Sequence, residues 1–369
     1  MFELPTYTPP DFNQAFLKNA PNAKLVCVEK DGISPVQYHA LSVFPEYFKI
    51  NDRWVLAVQS RMDTVAVAHD EPGQEKVEIV EFRNLKKGDK VVVGRAEDAS
   101  EGIYVYTHGF ESKEEEEQTF AFRSGRSRET AFSKDYDELY EILRHDKEGS
   151  GKITWVLGTA AILDPTARRG LARLIREGYA DAIIAGNSFF VYDLEEATRG
   201  TMNDQQDFQR DQNTYNNYFD VVNEVRNAGS LAAYVKESGK VRDGVTKACV
   251  EAGVEMVICG TIRDRFPLPD TYNNVYQAQD AMRAQIKQTS TLIMVSAILA
   301  TIATGNMTPS YNEFDGQIRP VYMYTVDIQE FAVNKLSDRG TLTAKSIVTN
   351  AQDFLINISR ALAGNQIED

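Results

Sequence analysis

From Lys152 onward the chain alternates short apolar runs with amphipathic stretches, and few folds accept that pattern. "ITWVLG", "ADAIIAGN", "VEMVICG" and "PVYMYTVD" read as strands. The last three follow "ARRGLARLIREG", "VRDGVTKACVEAG" and "AMRAQIKQTSTLIMVSAILATIA", which read as helices. Strands joined through helices pair in parallel, so the expected class is α/β, with a largely parallel sheet covered on both faces. "TLIMVSAILATIAT", from Thr291, falls short of the roughly 18 apolar residues of a membrane span and carries several hydroxyls, so it is assigned to a buried helix. A helix that apolar also suits a subunit interface, and a homo-oligomer is expected.

The first third has a different texture. "KLVCVEK", "WVLAVQ", "TVAVAHD", "KVEIVEF", "DKVVVG" and "GIYVYT" are short strands parted by turn signals such as "NDR", "EPGQ" and "LKKGD", which suits a small barrel or sandwich. A proline-rich arm precedes them, and "ESKEEEEQ" follows as a solvated linker or helix face. The chain therefore divides into a β-rich subdomain over residues 1–118 and a parallel-sheet domain over residues 119–369. "SKDYDELYEILRHDKE", with a serine before acidic residues and an apolar stripe, opens the second as a capped helix.

A net charge of -14 repels nucleic acid and anionic membrane surfaces and is compatible with small cationic substrates such as diamino acids. Three scattered cysteines make neither a disulfide framework nor a zinc motif. The four histidines, His39, His69, His108 and His145, form no metal-binding pattern, and no metal is expected. The start, "MFELPTYTPPDF", lacks the basic and apolar regions of a signal peptide, so the chain reads as cytoplasmic.

Ligands of an open parallel sheet bind beyond the carboxyl ends of its strands. Those ends supply the candidate dinucleotide contacts: Gly158, Thr159 and Ala160 of "LGTAA", Gly186 and Asn187 of "AGNS", Gly260 and Thr261 of "CGT", Asp327 of "TVD", and Asn306 of "ATGNM" at the end of the apolar helix. Small residues let backbone approach phosphates, and helix starts offer free N–H groups. Asp327 is assigned to the adenosine ribose, and with no Arg or Lys directly after it NAD is expected over NADP. No Walker phosphate loop occurs. "GTIRDRFPLPD" brings Arg263, Asp264 and Arg265 into one strand-end loop, where arginine suits a carboxylate and aspartate a base or amine anchor. "FAFRSGRSRET" offers Arg123, Ser124 and Arg126 to an anionic group at the domain junction.

Longer segments carry a resemblance. "FPEYFKINDRWVLAV", "LKKGDKVVVG", "ETAFSKDYDELYEIL", "LIREGYADAIIAGNSFFVYDLEEATRGT", "CGTIRDRFPLPD", "IATGNMTPS" and "VDIQEFAVNKLSDRG" are similar to segments of the lysine-oxoglutarate reductase–saccharopine dehydrogenase-like family. That family includes archaeal-type ornithine cyclodeaminases and the C-terminal half of arginine dihydrolase/ornithine cyclodeaminase fusions. The resemblance runs from Phe44 to Phe354 and implies a β-rich subdomain before a Rossmann-like domain that holds NAD. It further implies an ammonia lyase that turns ornithine into proline through a Cα-imine, with Arg263 gripping the α-carboxylate, Asp264 as base and Asn187 and Asn306 as polar positioners. The family's "IRDDGPLPD" reads "IRDRFPLPD" here, and a basic, histidine-containing stretch is replaced by "NTYNNYFDVVNEVRNAGS". Arg265 would suit a second acidic group on the substrate, which leaves room for an opine- or saccharopine-like dehydrogenase. A non-catalytic NAD-binding protein and a transferase resembling deoxyhypusine synthase are the remaining alternatives.

Overall fold

Apolar runs without alternation need cover on both faces, and four of the strands after Lys152 have it. A computed structural model describes residues 4–110, 128–200, 212–262, 264, 266–329 and 342–364. The 118/119 domain boundary, the acidic run, and Arg123, Ser124, Arg126, Arg263 and Arg265 lie outside the described residues.

The N-terminal part carries a short helix α1 (Ala15–Lys18) and seven strands: β1 (Lys24–Cys27), β2 (Glu46–Ile50), β3 (Arg53–Leu56), β4 (Thr64–His69), β5 (Lys76–Glu81), β6 (Lys90–Val93) and β7 (Ile103–Val105). They form two antiparallel sheets, ordered β1-β6-β4-β5 and β3-β2-β7. Phe48, Ile50 and Ile103 of the smaller sheet share one core with Ala66, Val77, Ile79 and Val92 of the larger, so this is a sandwich.

The second part runs α2 (Arg128–Glu148), β8 (Ile153–Leu157), α3 (Pro165–Arg176), β9 (Ala182–Gly186), α4 (Asn187–Arg199), α5 (Gln212–Ala228), α6 (Leu231–Glu237), α7 (Val245–Ala252), β10 (Glu255–Cys259), α8 (Val275–Ile286), β11 (Thr291–Val295), α9 (Ile298–Met307), a β12–β13 hairpin (Tyr311–Phe314, Gln317–Pro320), β14 (Tyr322–Asp327), β15 (Ala344–Val348) and α10 (Ala351–Ala363). Its six-stranded sheet is parallel throughout, in the order β10-β9-β8-β11-β14-β15. Counted from β8, that is 3-2-1-4-5-6, the Rossmann order, with its switch point between β8 and β11.

Strand pleating sorts the apolar side chains onto two cores. Trp155, Leu157, Ile183, Ile293 and Val295 point into one, with Leu171, Phe189 and Phe354 from the helices. The alternate residues Val156, Ile184, Leu292, Met294 and Met323 point into the other, against Met282, Ile286 and Met307. Asp164 accepts the Ala167 N–H at 2.8 Å ahead of Pro165, which fixes the start of α3. Asp164→Ala is expected to cost about 1 kcal/mol in urea unfolding.

"TLIMVSAILATIA" is not a single helix. Thr291–Val295 is the central strand β11, and α9 begins three residues later. The break is local: Ser296 takes φ 49° and donates its N–H to Val326 O at 2.9 Å, which turns the chain out of the sheet. The strand half is buried in the sheet, so the apolar helix is Ile298–Met307 alone, with Leu299 exposed near its start.

Candidate functional site at the carboxyl edge of the sheet

The strand register lines up one row of residues across the sheet. Cys259 faces Gly186, Asp327 faces Val348, and Gly158 and Ser296 directly follow the Leu157–Val295 pair. Gly158 is therefore at the switch point. Its N–H donates to Val295 O at 2.9 Å, and a Cβ there would come within 1.8 Å of Ser296 O. Its φ is −89°, so closeness of backbone, rather than a left-handed turn, requires glycine.

Past Gly158 the chain makes a 3₁₀ turn over Thr159–Ile162 before α3 starts. The start of α3 is already occupied by the Asp164 carboxylate, so the free N–H donors at the switch point belong to the Thr159–Ala160 turn. Gln352 of α10 holds that turn by donating to Ala160 O at 2.7 Å. At the neighbouring strand end Gly186 caps α4 without any side-chain hydrogen bond.

Asn187 is fully buried, and its amide is committed to the protein. Oδ1 accepts from Leu268 N at 2.9 Å and from Thr271 Oγ1 at 3.1 Å, while Nδ2 donates to the Tyr218 phenol at 3.3 Å. It acts as a clip between the β9 and β10 loops, which places it behind the cleft wall.

The loop after β10 is similarly anchored. Gly260 donates to Tyr272 O at 2.9 Å, and a Cβ would approach that oxygen to 2.8 Å. Asp264 Oδ2 accepts the Thr261 N–H at 2.6 Å, and Leu231 N donates to Asp270 at 2.8 Å. Phe266, half of the family departure, packs on the main core under the Arg226 guanidinium at 4.6 Å, and Arg226 also donates to Pro267 O at 2.8 Å. The replacement is thus absorbed into packing at that position.

Asp327 is buried at the end of β14, where Oδ1 accepts the Gln329 N–H at 2.9 Å. It stands two strands from Gly158 on one side, and the β10 loop stands two strands away on the other. At about 4.8 Å per strand, Asp327 and the β10 end are about 19 Å apart. The two acids are therefore too far apart to meet on one small group.

Asn306 does not join this row. Starting at Ile298, α9 returns along the sheet and carries Asn306 about 12 Å down its axis. There it lines a separate cleft of about 410 Å³ with Arg61, Met62, Glu81 and Arg283, where Glu81 pairs with Arg61 of its own part and with Arg283 of the other.

Two features escaped sequence reasoning. Tyr218 of α5 reaches the β9 end, where its phenol oxygen accepts from Asn187 and bonds with Ser188; burial foremost, then the Asp264 charge, raises its pKa. Its signal was the departing "NTYNNYF" stretch, a cue that the site had changed without a cue to what replaced it. The second is an apolar crown: Leu163, Ile262, Leu299, Ile328 and Val348 are exposed, and each follows or ends a strand at this edge. Cys259, beneath it, is pushed up to about 11 by burial and offers no ready thiolate. Among the described residues no group of acidic, cysteine or histidine side chains is placed to hold a metal, and no helix is long and apolar enough to cross a membrane.

Comparison with known proteins agrees with this architecture. Residues 137–358 match the C-terminal Rossmann-fold region of arginine dihydrolase ArgZ-like proteins, and residues 45–131 match the first region of the same C-terminal part. An ornithine cyclodeaminase of Methanococcus maripaludis is 31% identical over 356 residues, covering 94% of this chain and 81% of that protein. The crystal structure of a LOR/SDH protein from the same species superposes with a TM-score of 0.77 at 29% identity, covering 94% and 98% of the two chains. The ternary complex of AgrE with ornithine and NAD+ superposes with a TM-score of 0.55 at 28% identity, over 94% of this chain and 46% of AgrE. The chain thus spans about half the length of the bifunctional relatives and most of the length of the archaeal one. It belongs to the ArgZ-like C-terminal family, which joins a β-rich first region to a Rossmann-fold domain.

Proposed function

We propose that this chain is an NAD-dependent ornithine cyclodeaminase, converting ornithine to proline and ammonia. The observation that carries the reading is the crevice at Gly158, where the Rossmann strand order opens and the crowded backbone leaves no room for a side chain. Relatives named ornithine cyclodeaminase, and the AgrE complex with ornithine and NAD+, support the substrate and the cofactor.

The described residues fit the cofactor at two points. The turn Thr159–Ala160 offers backbone N–H donors to a pyrophosphate, and Gly158 lets the ends of β8 and β11 close up directly behind that turn. When bound, NAD+ supplies a hydride acceptor for the substrate Cα and returns the hydride at the end, so the overall reaction is redox-neutral. The substrate then closes through attack of its distal amine on the Cα-imine, and ammonia leaves.

In the Rossmann order the β11–β14–β15 half faces the reacting end of the dinucleotide. Asp327, at the end of β14, is the acid we assign to the substrate amines: it anchors the distal ammonium and takes its proton before ring closure. Leu299, Ile328 and Val348 on the same half exclude water, which protects the imine from hydrolysis. Arg123, Ser124 and Arg126 are the candidates for the substrate carboxylate.

Proton NMR with L-ornithine and catalytic NAD+ tests the reading. Proline and ammonia should appear in equal amounts without net growth of the NADH absorbance band. Net NADH with an open-chain oxo product would replace the cyclodeaminase with an amino-acid dehydrogenase.

A further inference from the structure

Among the described residues α9 is the one α-helix without a charged side chain: Ile298–Met307 reads "ILATIATGNM". Its neighbour α8 carries Asp280 and Arg283, and α10 carries Asp353 and Arg360. A helix free of charge belongs in a core, yet only one side of α9 is in one. Thr301, Thr304 and Gly305 are buried, whereas Leu299 is 83% exposed, Ile302 and Ala303 are half-buried and Asn306 is exposed. Those last four follow the i, i+3, i+4, i+7 spacing of a single helix face. One exposed leucine is ordinary. An uncharged stripe along a cleft is not.

The stripe lines the cleft of about 410 Å³, opposite Arg61, Met62, Asp63 and Glu81 of the sandwich and beside Gln279 and Arg283 of α8. The charges in that lining cancel, Arg61 and Arg283 against Asp63 and Glu81. Glu81 accepts from Arg61 at 2.7 Å and pairs with Arg283, and Asp280 takes Arg283 at 3.0 Å, so no surplus charge awaits a small ion. A chain of net charge -14 repels its own copy over most of its surface, and a balanced patch is where that repulsion is weakest.

Knob and hole lie on the same helix. Leu299 and Asn306 stand about 10.5 Å apart along the axis, with Ile302 and Ala303 midway. A two-fold axis between Ile302 and Ala303 lays α9 antiparallel on its copy and sets each Leu299 beside Asn306 of the partner subunit. The small Ala303 at the centre lets the two helices approach closely. Such a contact uses one patch twice and closes at two chains.

We propose that Leu299, Ile302, Ala303 and Asn306, with the cleft they line, form a homodimer surface occupied by α9 of a second copy in antiparallel packing. Met62, 44% exposed at the cleft, is covered with them. Leu299 keeps water from an imine only once something covers it, and the second copy supplies that cover. That last consequence rests on the cyclodeaminase reading; the dimer does not.

Sedimentation velocity from about 1 to about 100 μM chain tests it. The wild type is expected at twice the 41.4 kDa chain mass. Leu299→Arg removes the knob and buries a charge, and is expected to raise the dissociation constant about 30-fold or more. Asn306→Asp alone shifts it in the same direction. Combined, the two substitutions place each arginine beside an aspartate of the other subunit and should recover most of the loss. Both positions are exposed, and native thermal transitions confirm folding. Should Leu299→Arg fail to fold, Ala303→Cys decides: a short bis-maleimide should join two chains at the dyad, above the level the parent gives. A wild type that stays at 41.4 kDa overturns the proposal and leaves the cleft to a different chain. A dimer that Leu299→Arg leaves intact is built on another surface, which overturns it equally. Loss without recovery in the combined variant overturns the antiparallel register. None of these outcomes depends on NAD+, so the cofactor reading stands or falls separately.

Discussion

Arg168→Ala should destabilise the fold by about 3–5 kcal/mol, the range found when one member of a buried ion pair is removed. Arg168 lies on α3 with its side chain 3% exposed. Nε donates to Asp193 Oδ1 at 2.6 Å, Nη2 to Asp193 O at 3.0 Å, and Nη1 to Asp243 at 2.7 Å. Burial pulls the guanidinium pKa down, and the charges of Asp193 and Asp243 outweigh that and leave it raised. Asp193 is itself fully buried and caps α7 from a distance, accepting Val245 N at 3.1 Å and Thr246 N at 2.7 Å. Removing the arginine strands that carboxylate with two backbone donors and no countercharge. Gly244 adds a constraint: its φ of 108° suits glycine, and a Cβ there would sit 2.1 Å from Arg168 Nη2. Equilibrium urea unfolding checks the figure. A loss below about 1 kcal/mol would mean that the pair is hydrated or that Asp193 is held well enough by α7 alone. Arg168→Lys should recover only part of the loss, since one ammonium cannot reach three separated acceptors.

Nothing in the sequence announces that cluster. "ARRGLARLIREG" reads as an amphipathic helix, and the partners of Arg168 lie 25 and 75 residues away. Local patterns carry information about neighbours in the chain, and a buried pair of this span is a tertiary fact. The fold itself was legible to a useful depth. The strand ends at Gly158, Gly186 and Gly260 and the terminal acid Asp327 stand where the apolar runs stop. The failures share one cause. A short apolar run has no period to read, so β11 was merged with α9, and β15, "AKSIV", passed unnoticed between loops. Without β11 the strand order cannot be written, and without the order Asp327 and Asp264 cannot be told apart by the half of the sheet each occupies. The sequence therefore offers the candidates only as an unordered set, and which half of the sheet each occupies needs the topology.

Gly158→Ala is the sharpest test of the crevice, and it comes with an internal control. The added Cβ would fall 1.8 Å from Ser296 O and 2.6 Å from Ser296 C, both backbone atoms that no rotamer change can clear. Relief requires β8 and β11 to part at their carboxyl ends, which strains the Gly158–Val295 hydrogen bond. Ser296 is poorly able to yield, being already at φ 49° and bonded to Val326 on the far side. Overpacking of this kind costs about 1–3 kcal/mol, and the distortion falls on the turn whose N–H groups are assigned to the pyrophosphate. We expect NAD+ affinity to drop by more than about tenfold, a loss of about 1.4 kcal/mol or more. Gly186, one strand away, has φ −72° and no atom nearer than 3.9 Å to a new Cβ. Gly186→Ala should fold with a loss below about 1 kcal/mol from the weaker helix cap and should bind NAD+ nearly as the parent does. Calorimetric titration of both variants with NAD+ makes the comparison. Equal affinities would mean that the dinucleotide does not approach the sheet at Gly158, and the switch point would lose its claim as the centre of the site. A selective loss at Gly158 ties a backbone contact between two strands to cofactor binding, which no change to a charged side chain can establish.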